Sequence, residues 1–158
     1  MHLTYRIITV AAVLALASAS PAQTIGVGVG THTRSVSISA TQPVYKLGSL
    51  AIYPEVGYVQ WRVSGDTGYQ AYATPTFRYP ITQRVGVTAG IGASVFSRTS
   101  WGDKNTSTKF QFADHVGVTY QLSDTYGINV RYVHASNAGI KQPNPSVDSV
   151  QVNLTASF

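Results

Sequence analysis

The carboxyl-terminal stretch constrains the fold more than any other part of the chain. Val150, Val152, Leu154, Ala156 and Phe158 alternate with Ser149, Gln151, Asn153, Thr155 and Ser157. A period of two is that of a β-strand with one apolar and one polar face, here closed by an aromatic residue. Continued backwards, the same parity reaches Asp148 on the apolar side. On the preceding strand it selects His134 and Ser136. A serine, a histidine and a carboxylate therefore share a face that otherwise reads as apolar.

Turn residues punctuate the rest of the chain at short intervals, with no amphipathic helical pattern between them. Alternation predicts eight strands, at roughly 24–31, 34–42, 49–62, 69–79, 83–96, 109–121, 125–136 and 148–158. The fifth is the cleanest. Val85, Val87, Ala89, Ile91, Ala93 and Val95 face one way, and Arg84, Gly86, Thr88, Gly90, Gly92 and Ser94 the other. In the sixth, Phe110, Phe112, Val116, Val118 and Tyr120 share a face that Asp114 interrupts, and parity alone gives no reason for the interruption.

Apolar faces on this many short strands can be buried in a soluble sandwich or turned outward to lipid in a membrane barrel. Two features favour the barrel. The opposite faces carry Glu55, Arg78, Arg84, His115 and Arg131 among many glycines, which suits a narrow lumen where unlike charges pair. The connections also alternate in length, short at 80–82 and 122–124 and long after the fifth and seventh strands, as expected of periplasmic turns and outer loops. Charged residues are only 11% of the chain, against roughly 25% in soluble domains. The expected fold is thus all-β: an eight-stranded antiparallel up-and-down transmembrane β-barrel of the bacterial outer membrane. An even strand number closes without an unpaired edge in lipid, and eight strands fill their own interior, so a diffusion channel is not expected.

Arg6, the apolar run 7–17 and the small residues that follow read as a secretory leader, with cleavage points after Ala19 or Ala22. This divides the chain into a leader at 1–22 and a single barrel domain at 23–158. The eleven Lys and Arg residues less Arg6 leave ten cations against six acids, too dispersed for a nucleic-acid-binding face. With no cysteine, a disulfide framework and thiolate metal sites are excluded. The histidines show no metal-ligand spacing, and the Gly26–Gly30 run is strand-like rather than a phosphate loop.

The chemistry concentrates in residues 131–148. His134 and Ser136, two apart on a strand, project from one face within reach of each other. A hairpin would bring Asp148 beside His134. Ser136 would then be the nucleophile, His134 the general base and acid, and Asp148 the orienting carboxylate. Asn137, Gly139 and Asn144 follow in the loop, where an amide or a backbone N–H could donate to an oxyanion. Taken singly, each residue is ordinary rim and turn chemistry. Jointly, a polar cluster on the lipid side is costly without a role. Spacing alone leaves catalysis and structure evenly matched.

The segment His134-Ala135-Ser136-Asn137-Ala138-Gly139-Ile140-Lys141-Gln142-Pro143-Asn144-Pro145-Ser146-Val147-Asp148 closely resembles the signature of the outer-membrane lipid A 3-O-deacylases of the PagL type. Weaker likeness extends to Ala89–Ala93, to Trp101-Gly102-Asp103 and to Phe112-Ala113-Asp114. The resemblance implies a barrel that hydrolyses the ester-linked 3-hydroxyacyl chain at position 3 of lipid A in lipopolysaccharide, without metal or other cofactor. It places His134, Ser136 and Asp148 on the family's triad, and Asn144 with Gly139 in its oxyanion environment. One departure stands out: the family's acid is usually Glu, and Asp148 is one methylene shorter.

A lipid-facing site suits such a substrate, because an acyl chain already in the outer leaflet can lie along Val130, Tyr132 and Val152. Arg98, Lys104, Lys109 and Lys141 are candidates to hold its phosphates, or are simply solvated loop charge. The expected partners are lipid A and outer-membrane lipids, with the site towards the outer leaflet; a homodimer is left open. Two other readings remain: a non-enzymatic surface barrel that keeps the hairpin for folding, and an esterase acting on phospholipid.

Overall fold

The computed structural model describes residues 22–30, 32–41 and 45–157. Of the leader predicted at 1–22, residues 1–21 lie outside the described residues, as does the terminal Phe158, while Ala22 begins β1. Eleven strands follow in order: β1 (Ala22–Gly30), β2 (Thr33–Thr41), β3 (Tyr45–Leu47), β4 (Leu50–Val63), β5 (Asp66–Pro80), β6 (Val85–Phe96), β7 (Ser100–Trp101), β8 (Lys104–Asn105), β9 (Phe110–Gln121), β10 (Tyr126–Ser136) and β11 (Val147–Ser157). Eight of them form the wall, in the order β2-β1-β11-β10-β9-β6-β5-β4, and β2 pairs with β4 to close it. All of these pairings are antiparallel, and β1 joins β11 through partners such as Val27 and Val152. The predicted strands correspond to these eight.

Side chains alternate across the wall as the sequence requires. Val27, Val29, Val36, Val56, Ile91, Val116, Val118 and Leu154 are exposed on the outside, while Ser35, Ser37, Ser39, Gln151 and Asn153 are buried within. Apolar outside and polar inside is the reverse of a soluble protein, and it is stable only where hydrocarbon replaces water around the wall.

The interior has two zones. At mid-height Arg131 meets Glu55 at 3.1 Å, with both side chains almost wholly buried. Glu55 also accepts hydrogen bonds from the Tyr72 hydroxyl at 2.6 Å and Thr76 at 3.0 Å. This is the charge pairing expected of a narrow lumen. The lumen is not polar throughout, however. Towards the end bearing the long loops, Val59, Trp61, Val63, Phe96, Trp101, Ala135 and Val147 form an apolar plug. Arg84, expected in the lumen, is instead exposed in the turn between β5 and β6.

The connection at 64–65 is a tight turn on the long-loop side, so the predicted asymmetry of loop length rests on 97–109 and 137–146. Ser64 and Gly65 both have positive φ, 47° and 91°. Such a pair of left-handed residues matches the twist of two strands joined by a two-residue turn. The β7–β8 hairpin interrupts the stretch between β6 and β9, and its Trp101 packs edge-on against Phe96 with ring centroids 5.3 Å apart. The Gly102 N–H donates to Asp66 at 2.7 Å, and Lys104 Nζ donates to the Ser146 carbonyl at 3.1 Å. The hairpin thereby ties the β4–β5 turn to the β10–β11 loop, where the candidate site lies.

Candidate active site

Register alone assembles the centre. Antiparallel pairing sets His134 of β10 directly opposite Asp148 of β11, and on its other side opposite Asp114 of β9. All three share the outward parity of Val130, Tyr132 and Val150. His134 Nδ1 lies 2.7 Å from Asp148 Oδ1, and Nε2 lies 3.0 Å from Ser136 Oγ. A carboxylate can only accept, so Nδ1 carries the proton and Nε2 is left to accept from the serine hydroxyl. His134 and Asp148 are about one-third exposed, 35% and 31%. The three residues selected by parity are therefore brought together in one hydrogen-bonded chain.

Two of Asp148's partners were not legible beforehand. Tyr132 donates its hydroxyl to Oδ1 at 2.8 Å, and Ser146 donates to Oδ2. Tyr132 stands two residues before His134 and Ser146 two before Asp148, so the parity that found the centre also points to them. Asp148 needs no extra methylene, because direct cross-strand pairing places its carboxylate against the imidazole. Asp114, the unexplained break in the apolar face of β9, is explained by register: it occupies the same row as His134. Its Oδ1 is shut off from solvent and has no hydrogen-bond partner among the described residues.

The loop after Ser136 is held by Asn137, which is fully buried. Its Nδ2 donates to the Thr106 carbonyl at 3.0 Å and to the Lys141 carbonyl at 2.9 Å, and its N–H donates to Asn144 Oδ1 at 2.9 Å. Ala138 and Gly139 then turn through positive φ, 52° and 79°. The Ala138 N–H points at Ser136 Oγ from 3.4 Å. Asn137 has both amide hydrogens committed, whereas the Asn144 amide nitrogen and the Gly139 N–H have no partner among the described residues.

The cations considered for phosphate contact are differently placed. Arg98 pairs with Asp66 at 3.3 Å and lies 5.8 Å from the centre of the Trp101 ring, and Lys104 is bound to Ser146. Lys109 and Lys141 are exposed. Among the described residues no group of three or more His, Asp or Glu is set to hold a metal ion.

The closed wall with its outward apolar belt makes this an eight-stranded outer-membrane β-barrel, one that carries a Ser-His-Asp chain on its lipid-facing side. The chain belongs to the lipid A 3-O-deacylase (PagL) family, whose model matches residues 25–157. It is 44% identical over 115 residues to the lipid A deacylase PagL of Bordetella bronchiseptica, a match covering 70% of this chain and 65% of that protein. With the lipid A deacylase PagL of Pseudomonas aeruginosa it shares 34% identity over 108 residues, 65% of this chain and 62% of that one. The matched stretch thus spans less than two thirds of either relative. The crystal structure of the outer membrane enzyme PagL superposes with a TM-score of 0.75 at 25% identity, covering 87% of this chain and 99% of that chain. Neisserial surface protein A, at 14% identity and a TM-score of 0.59, shares the barrel alone.

Proposed function

We propose that the chain is a serine esterase that removes the 3-hydroxyacyl chain ester-linked at position 3 of lipid A, working from the outer leaflet. The observation that carries this reading is the unbroken Asp148–His134–Ser136 hydrogen-bonded chain on the lipid-facing wall. Family membership and the names of the two relatives supply the substrate class.

In this mechanism His134 Nε2 takes the Ser136 proton as Oγ attacks the ester carbonyl. The tetrahedral oxyanion accepts hydrogen bonds from the Asn144 amide and the Gly139 N–H, while Asn137 holds the loop that presents them. His134 then returns the proton to the departing sugar oxygen, leaving an acyl-serine. Water, deprotonated by the same imidazole, releases the hydroxy fatty acid and restores the serine. Asp148 fixes the tautomer and stabilises the imidazolium formed in each half-reaction. Tyr132 and Ser146 hold Asp148 in place.

The location on the outer wall has a physical rationale. Val130, Tyr132, Val150 and Val152 are each roughly half exposed beside the centre. An acyl chain lying against them stays in hydrocarbon, so only the ester and sugar need to meet polar groups. Residues 1–22 are read as a cleaved leader and 23–158 as the barrel that carries the activity.

The test is mass spectrometry of lipid A from an outer membrane that contains the protein. Loss of one hydroxyacyl chain is expected, and Ser136→Ala should abolish it while the barrel still folds. Unchanged lipid A with folded wild-type protein would leave the non-enzymatic barrel as the surviving reading, and hydrolysis persisting in Ser136→Ala would remove this serine from the mechanism.

A further inference from the structure

The outward face of the wall holds two arginines that the esterase mechanism does not use. Arg34 of β2 pairs directly with Arg62 of β4, and both are exposed at the long-loop end of the apolar belt. Like charges set directly opposite each other in a sheet destabilise it, because their Cβ atoms are only about 5 Å apart. Among the described residues neither guanidinium has an ion pair or hydrogen bond. A cavity of about 790 Å³ opens over the pair, bounded also by Gly30, His32, Ser64 and Asp103. The two arginines outnumber the single carboxylate of Asp103, so the lining carries a net positive charge.

Register fixes where this pair stands relative to the esterase centre. Val150 of β11 is level with Val29 of β1, and Val29 with Arg34. Thr33, next to Arg34, donates its hydroxyl to the Asp148 carbonyl at 2.5 Å. Arg34 therefore lies two strands, about 10 Å, to the side of Asp148, and Arg62 one strand further. Both are at the depth where the apolar wall ends and a glycolipid headgroup begins. Arginine forks match phosphate oxygens in pairs, and a phosphate monoester can offset two adjacent guanidinium charges better than a singly charged diester can.

We propose that Arg34 and Arg62 form a phosphate-binding subsite for lipid A, seating a phosphate of the same headgroup whose ester lies at Ser136. The inference rests on the lipid A esterase reading. It adds the residues that orient the disaccharide and that favour phosphorylated substrate.

The test compares the full chain in detergent on phosphorylated lipid A and on the same lipid A after enzymatic dephosphorylation. Wild type is expected to show a KM about tenfold lower for the phosphorylated form, the size of effect one charge-assisted contact gives. In R34Q/R62Q that preference should fall to near one. R84Q, a charge loss in the turn at the opposite end, should retain it. An undiminished preference in R34Q/R62Q would overturn the subsite. So would displacement of lipid A from the site by inorganic phosphate at equal concentration, since the ligand would then be the free anion rather than the lipid. The same pair of substitutions in a Ser136→Ala background, read as lipid A binding, separates the two ideas. If the esterase reading fails, the arginine-dependent binding difference should persist; if binding is unaltered while wild type hydrolyses lipid A, only the subsite fails.

Discussion

Asp148 has a short side chain, and its surroundings show how it reaches His134. It is the direct cross-strand partner of His134 and accepts from Tyr132 and Ser146 as well. Three donors on one carboxylate fix its geometry more firmly than length alone would. Asp148→Asn keeps the shape but offers the imidazole the wrong hydrogen-bonding partner, so kcat should drop by roughly 10⁴ with the barrel intact. Initial rates of hydroxy fatty acid release measure this, and near-normal rates would mean that another carboxylate, such as Asp114 opposite His134 on β9, does the orienting. At this scale parity reveals the side of the wall on which a residue lies, which is why His134, Ser136 and Asp148 were legible together. It does not reveal which residues lie in one row. Row position is set by register between distant segments, so the meaning of Asp114 emerged only once β9 and β10 were paired.

The element that turns this row into a site is the β10–β11 loop. Its shape depends on Asn137, a buried side chain bonded to the Thr106 and Lys141 carbonyls. Thr106 belongs to the stretch between β8 and β9, so the loop is braced from the neighbouring connection as well as from within. Asn137→Ala would take the Lys141 carbonyl's donor away and strip one donor from the Thr106 carbonyl, which keeps the Thr108 N–H at 2.6 Å, at about 1–3 kcal/mol for the group left unpaired. That energy is ample to release a surface loop, while the wall retains its own ladders. The expected result is a large fall in kcat with unchanged barrel unfolding, measured by activity alongside thermal denaturation in detergent; equal losses in both would make Asn137 a general stability residue instead. The sequence offered Asn137 as a donor to substrate, because Asn-Ala-Gly is turn chemistry as well as potential oxyanion chemistry. Its bracing partner lay some thirty residues away, beyond any local signal. The β7–β8 hairpin escaped for a related reason: strands of two residues are too short for a period of two to register.

At the scale of the whole molecule, alternation, low charge and even strand number together led to a closed barrel, because each follows from placing a single sheet in lipid. Depth along the barrel axis was not legible. β4 presents Val56 and Tyr58 outward and Val59, Trp61 and Val63 inward, so alternation there cannot separate a lipid face from the apolar plug. Only closure, which brings β4 against Phe96, Ala135 and Val147 inside the mouth, tells them apart. Below that plug the Glu55–Arg131 pair joins β4 to β10 across the lumen, and both side chains are only 6% exposed. Removing one member strands the other as an uncompensated buried charge, a loss of about 3–5 kcal/mol. Replacing both with apolar residues of similar size leaves no such charge and should be far milder, even though two ions and their hydrogen bonds are gone. Arg131→Met should therefore lower the unfolding midpoint in urea sharply, and Glu55→Leu/Arg131→Met should recover most of it. Because the pair faces the lumen while His134 and Ser136 face lipid, whatever fraction remains folded in Arg131→Met should hydrolyse ester at nearly the wild-type rate per molecule. A rate that fell in step with the midpoint would show instead that the charge pair sets the register of β10 on which the row of His134, Asp148 and Asp114 depends.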